Sequence, residues 1–197
     1  MSIILASGSE SRQRVLTAAG VPFTAIPATI DETILKDALL RDHTPLDKVA
    51  GALADAKALN VSQKHPNALV LGGDQTLLFD GELVSKCEDM AAARALLSRL
   101  RGKQHRLVGA LALAHEGTVI WRHTEGAELW MRHFSDAFLD RYLKTEGEGI
   151  LSGVGCYKLE GAGAQLFHRI TGDYFAILGL PLLPLLAELR KQGVIPK

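Results

Sequence analysis

The sequence predicts an α/β fold, a mixed, twisted central sheet flanked by helices, in two lobes with a cleft between them. Three observations predict it. The first part of the chain alternates short apolar runs with stretches of helical spacing, the pattern of βα units. Farther on, two long strand-like runs, 107–114 and 118–130, are joined only by His115-Glu116-Gly117, which favours antiparallel neighbours. With 197 residues, 47% hydrophobic and 22% charged, the chain can bury a substantial core as a single domain over 1–197.

The elements follow in order. Residues 3–6 form an apolar run suited to a buried strand, and Ser9 is a good N-cap for a helix running to the stop signal Gly20. Pro22 to Pro27 reads as a second strand that runs out into Asp31-Glu32. Thr44-Pro45 marks the start of a helix to about Asn60, with Leu46, Val49, Ala50 and Leu53 on its apolar stripe. Residues 68–71 read as a central buried strand ended by Gly72-Gly73-Asp74-Gln75. Asp80-Gly81 between 76–79 and 82–84 signals a hairpin. A helix over 89–100 stops at Gly102, and Ser135-Asp136 opens another to about Thr145. The glycine-rich segment 147–163, a last strand over 165–170, a turn at Gly172-Asp173 and a final helix over 181–192 complete the chain; that helix packs Leu182, Leu185, Leu186 and Leu189 inward.

Composition excludes several functions. Lys+Arg and Asp+Glu are both 22, so no global field draws nucleic acid or an anionic membrane surface. The cluster Arg99, Arg101, Lys103 and Arg106 lacks interleaved aromatics and reads as a solvated loop. The apolar stretch 177–187 is broken by Gly179, Pro181 and Pro184 and falls short of the roughly 20 residues of a membrane span. Cys87 and Cys156 lack metal-type spacing and the sequence shows no charged-then-apolar leader, so free thiols in a reducing cytoplasm are expected. The seven histidines are scattered without ligand spacing and read as structural or exposed.

The candidate chemistry begins at the first strand–helix turn. Free N–H groups at the helix start, the hydroxyls of Ser7 and Ser9 and the charges of Arg12 and Arg14 together make a place for phosphate, although an ordinary turn with two solvated arginines fits the same residues. Asp31 and Glu32, adjacent carboxylates after a strand, suit a hard divalent cation or simply begin the next helix. Lys57 falls on the core-facing stripe four residues beyond Leu53 and either snorkels outward or has a buried partner. Asp74, after a buried strand, stands where a catalytic carboxylate of an open α/β sheet is expected, and Gly-Gly-Asp is also plain turn chemistry.

Leu5-Ala6-Ser7-Gly8-Ser9-Glu10-Ser11-Arg12 resembles the opening motif of the Maf family of nucleoside triphosphate pyrophosphatases. Asp31-Glu32-Thr33, Ala56-Lys57-Ala58, Gly73-Asp74-Gln75, Ser85-Lys86, the run 161–172 and Gly179-Leu180-Pro181-Leu182 match the same family in the same order, over essentially the whole chain. The resemblance implies that Asp74 is the proton acceptor, that Ser7, Ser9, Arg12, Lys57, Gln75 and Lys86 bind substrate, and that Asp31, Glu32 and Asp74 hold magnesium or manganese. It implies hydrolysis of a nucleoside triphosphate to monophosphate and pyrophosphate, a house-cleaning activity, and a homodimer. Lys158-Leu159-Glu160-Gly161, with Met131 to Ser135, is similar to the branch acting on 7-methyl-GTP, since a buried glutamate can accept two N–H donors from a guanine edge. That branch has Trp where this chain has Ser11, which makes Ser11, Lys158 and Glu160 the specificity positions. Two further departures are Cys87, where the family has Gly-Lys-Pro, and Gly109-Ala110, where it often has Thr-Gly.

Two rival readings stand beside this one. Ser11, Arg14, Cys87 and Gly109 are compatible with a catalytically weak nucleotide-binding regulator of cell division, since relatives are linked to septum inhibition. A phosphatase releasing orthophosphate from the γ end is the other, and retention of Glu32, Lys57, Asp74, Gln75 and Lys86 argues for the pyrophosphatase.

Overall fold

The computed structural model of the chain describes residues 2–196. Its centre is a mixed seven-stranded sheet flanked by helices. In chain order the strands are β1 (Ile3–Leu5), β2 (Thr24–Ala25), β3 (Leu69–Phe79), β4 (Glu82–Val84), β5 (Gln104–His115), β6 (Thr118–Met131) and β7 (Phe167–Thr171). They lie in the order β2-β1-β3-β5-β6-β7, with β4 paired to β3. β1 runs parallel to both β2 and β3, whereas β3–β4 and β6–β7 are antiparallel. The helices are α1 (Glu10–Ala18), α2 (Glu32–Arg41), α3 (Val49–Ser62), α4 (Met90–Leu100), α5 (Asp136–Glu146), α6 (Tyr174–Ile177) and α7 (Leu182–Lys191).

The chain divides into two compact units, one of Met1–Gln75, Val108–Glu125 and Asp173–Lys197, the other of Thr76–Leu107 and Gly126–Gly172. The first holds a core in which Leu5, Leu16, Leu71, Leu111, Leu113, Leu180, Leu185 and Leu189 are buried. A second cluster, Ile4, Ala6, Val61, Ala68 and Val70, packs on the other face of β1 and β3, as strand alternation requires.

Capping chemistry sets the boundaries where the sequence signals it. Ser9, Asp31, Asp89, Ser135 and Asp173 each accept a backbone N–H at the start of α1, α2, α4, α5 and α6. The hairpin is made as Asp80-Gly81 signals, with φ of 55° and 80°.

Three expectations are corrected. Thr44 caps nothing: a 3₁₀ turn, Leu46–Lys48, precedes α3, which starts at Val49 and runs to Ser62. Gly72-Gly73-Asp74-Gln75 is no turn but the middle of β3, continuous for 11 residues. The glycines serve close packing there: a Cβ on Gly72 would lie 2.2 Å from Ala54 O and 2.7 Å from Ala58 N, so α3 rests its backbone directly on β3. Asp173 belongs to no mere turn, since it caps the short helix α6.

In the second unit, the cations of the 99–106 stretch are partly engaged. Arg99 and Lys103 stand over the Phe79 ring and Arg101 pairs with Asp136 at 2.7 Å. No helix among the described residues is long and apolar enough to cross a membrane.

Candidate active site

Successive side chains of a strand point to opposite faces, so Gly72 and Asp74 share one face of β3 while Gly73 and Gln75 share the other. Because α3 sits hard against Gly72, its Lys57 reaches Asp74, with Nζ 2.7 Å from Oδ1. The same ammonium lies 2.8 Å from Glu32 Oε2 at the start of α2. Lys57 and Asp74 are both 7% exposed, whereas the Glu32 side chain is 54% exposed. The core-facing lysine therefore has two carboxylate partners, one buried and one open to solvent.

On the other side, Arg12 is buried in α1. Its Nε donates to Gly179 O at 2.8 Å and its Nη1 to Ser7 Oγ at 3.1 Å. Ser7 Oγ also accepts the Ser9 N–H at 3.2 Å, and Ser9 Oγ the Arg12 N–H at 3.4 Å. The turn is thus ordered by its own side chains around a fixed guanidinium. Burial lowers the Arg12 pKa from its ordinary value, and the charges of Asp74 and Glu32 oppose that shift. A Cβ on Gly73 would stand 3.2 Å from Arg12 Nε, so glycine leaves the guanidinium its place.

Three candidate residues make hydrogen bonds of their own within the protein. Asp31 Oδ1 accepts the Ile34 N–H at 2.9 Å as the cap of α2. Gln75 Nε2 donates to Ala176 O at 2.9 Å and Ile177 O at 3.1 Å, and Ser11 Oγ donates to Leu178 O at 2.9 Å. These carbonyls at the end of α6 are the partners that sequence reading missed; Asp173, a cap residue two positions before Phe175, was the available signal.

Lys86, Lys158 and Glu160 belong to the second unit. Lys86 lies in the loop after β4, and Lys158 and Glu160 lie between 3₁₀ turns Gly147–Ser152 and Ala162–Leu166. A Cβ on Gly163 would fall 2.4 Å from Lys158 O, so that loop closes tightly on glycine, and Gly161 N–H donates to Lys158 O at 3.2 Å. Glu146 Oε1 accepts the Ala162 N–H at 3.2 Å, tying α5 to the loop. Beneath it Tyr142 donates to Cys156 O, and His105 Nε2 lies 2.7 Å from the Tyr157 hydroxyl.

The family model for Maf-like proteins matches residues 2–192. The chain belongs to the Maf family. Among similar proteins, a nucleoside triphosphate pyrophosphatase of Maricaulis maris is 50% identical over 98% of this chain and 97% of its own length. A 7-methyl-GTP pyrophosphatase of Mesorhizobium japonicum is 48% identical over 98% and 97%. One of Brucella abortus is 45% identical over 99% and 98%.

The carboxylates around Lys57 could hold a hard divalent cation in one specific way. Among the described residues no group of three or more His, Cys, Asp or Glu could hold a metal ion. Magnesium, however, sits on one or two carboxylates and completes its shell with water and substrate phosphate, and Glu32 and Asp74 around one ammonium are such a pair.

Proposed function

We propose that this Maf protein hydrolyses nucleoside triphosphates at the α–β phosphoanhydride, yielding nucleoside monophosphate and pyrophosphate. The observation that carries the reading is Lys57 held between Asp74 and Glu32, whose charges also act on the buried Arg12, in a chain whose relatives are named for this activity.

Lys57 holds the Asp74 carboxylate in a fixed direction through Oδ1, which leaves Oδ2 to accept a proton from water. That water attacks the α-phosphorus in line. Its proton passes to Asp74, the bond from the α-phosphorus to the bridging oxygen breaks, and the electron pair leaves with pyrophosphate. Arg12, the Ser7 and Ser9 hydroxyls and Lys57 supply the positive and polar surroundings in which the triphosphate charge is stabilised, and the family resemblance adds Lys86 as a further substrate ligand. Glu32 and Asp74 would hold magnesium or manganese, which when bound neutralises phosphate charge. Chemistry of this kind asks the protein mainly for positioning.

Relatives named for 7-methyl-GTP support a guanine-type base; Glu160, expected as a buried acceptor, is exposed and Lys158 half-buried, and Ser11 in place of an aromatic weakens the preference for the methylated base. Free thiols at Cys87 and Cys156 support the cytoplasm as the compartment. A homodimer rests on the family resemblance, and sedimentation of the purified chain tests it.

The test is a product assay on ATP, GTP, dTTP, UTP, CTP and 7-methyl-GTP with magnesium, for wild type and Asp74→Asn. Monophosphate plus pyrophosphate, lost in the variant, is expected. Orthophosphate as first product would indicate attack at the γ end, and binding without turnover would indicate a regulator.

A further inference from the structure

The end of α6 presents four consecutive carbonyls, and each receives a side chain from elsewhere in the sequence. Ala176 O and Ile177 O accept the two N–H groups of Gln75, Leu178 O accepts Ser11 Oγ, and Gly179 O accepts Arg12 Nε. A helix end leaves carbonyls without intrahelical donors, and here side chains of the site donate to all four, Ala176 O accepting the Gly179 N–H as well. Gly179 has φ of +88°, a conformation that favours glycine and turns its carbonyl to Arg12, and Leu180 beyond it is fully buried. Gln75 stands on the face of β3 opposite Asp74, the face where Gly73 makes room for Arg12.

We infer that Gln75 is a positioning residue: it clasps residues 176–177 so that Gly179 O holds the Arg12 guanidinium in the orientation that binds phosphate. Both amide hydrogens of Gln75 are spent on the clasp, and planar geometry aims them at adjacent carbonyls. The inference rests on the pyrophosphatase reading for the role of Arg12; the clasp itself stands on the hydrogen bonds.

The experiment is a double-mutant cycle of Gln75→Leu and Arg12→Lys, read by kinetics and by amide exchange. Gln75→Leu should raise KM roughly tenfold with kcat within about threefold, the pattern of lost phosphate binding. On the Arg12→Lys background it should add less than about twofold, because its effect passes through Arg12. In nucleotide-free protein the Gly179 and Leu180 amides, which donate to Ala176 O and Phe175 O, should exchange faster in Gln75→Leu. Multiplicative losses in the double variant would make Gln75 a substrate ligand and overturn the inference. Unchanged KM and kcat, or unchanged exchange, would overturn it as well. Should Gln75→Leu fail to fold, Ser11→Ala, which removes the donor to Leu178 O, is put through the same cycle with the same criteria at about threefold. A wild type that turns over no nucleotide defeats the pyrophosphatase reading, while the exchange rates still decide the clasp.

Discussion

Lys57 Nζ lies 2.7 Å from Asp74 Oδ1, deep beneath a site whose other carboxylate, Glu32, is open to water. The pair exists because Gly72, two residues before Asp74, carries no side chain to hold α3 away. Removing one partner of a buried ion pair leaves an uncompensated charge, which costs about 3 to 5 kcal/mol. Lys57→Met should therefore lose about that much in urea unfolding and most of its turnover. Glu32→Gln, at a half-exposed carboxylate, should lose within about 1 kcal/mol and still lose turnover. Equal stability losses would contradict the asymmetry of the triad.

Gly72→Ala should be among the most damaging small substitutions in the first unit. Its methyl group meets backbone atoms of Ala54 and Ala58, which cannot rotate away, so α3 must shift. Overpacking of this kind costs up to about 3 kcal/mol or more, a large share of ordinary domain stability. Gly73→Ala meets side-chain atoms of Leu111 and Arg12 and should keep the fold while raising KM. Thermal unfolding and steady-state kinetics of the two variants separate the cases.

His105 gives the second unit a pH dependence. It is 2% exposed, Nδ1 has no hydrogen-bond partner among the described residues, and burial lowers its pKa to about 4 from the ordinary 6.5. The unfolded chain takes up the proton first, so stability is full above about pH 6.5 and falls as pH drops toward 4, by about 3 kcal/mol from this group. Below 4 the loss levels off. Urea unfolding from pH 7 to 4 should show that slope, and His105→Leu should flatten it whatever its absolute stability.

The two cysteines should differ in reactivity. Cys156 is fully buried, and burial, with the neighbouring Cys87 thiol, pushes its pKa up to about 12. Cys87 is half-buried. A disulfide reagent at neutral pH should label one thiol of the native protein and the second only on unfolding, because the thiolate is the reacting form. Rapid labelling of two native thiols would contradict this environment for Cys156.

Local signals in the sequence reached most elements. Ser9, Asp89 and Ser135 as caps, Asp80-Gly81 as a hairpin and the leucines of α7 act over a few residues, where side-chain chemistry alone decides backbone geometry. The exception was Gly-Gly-Asp-Gln, whose residues favour a turn in isolation and stand in a strand because a helix packs on them. Thr44 failed for a related reason: the following residues take a 3₁₀ turn before α3 begins.

By itself the sequence determined the family, the fold class and the identity of the polar groups, since each is written in residue types and their order. Only the tertiary structure decided what those groups touch. It set Lys57 on two carboxylates, placed Asp31 Oδ1 on a helix cap, and turned Gln75 away from Asp74 toward carbonyls 101 and 102 positions along the chain. Such pairings depend on which face of a strand a residue takes and which distant backbone arrives there, and that information is created when the sheet and helices pack.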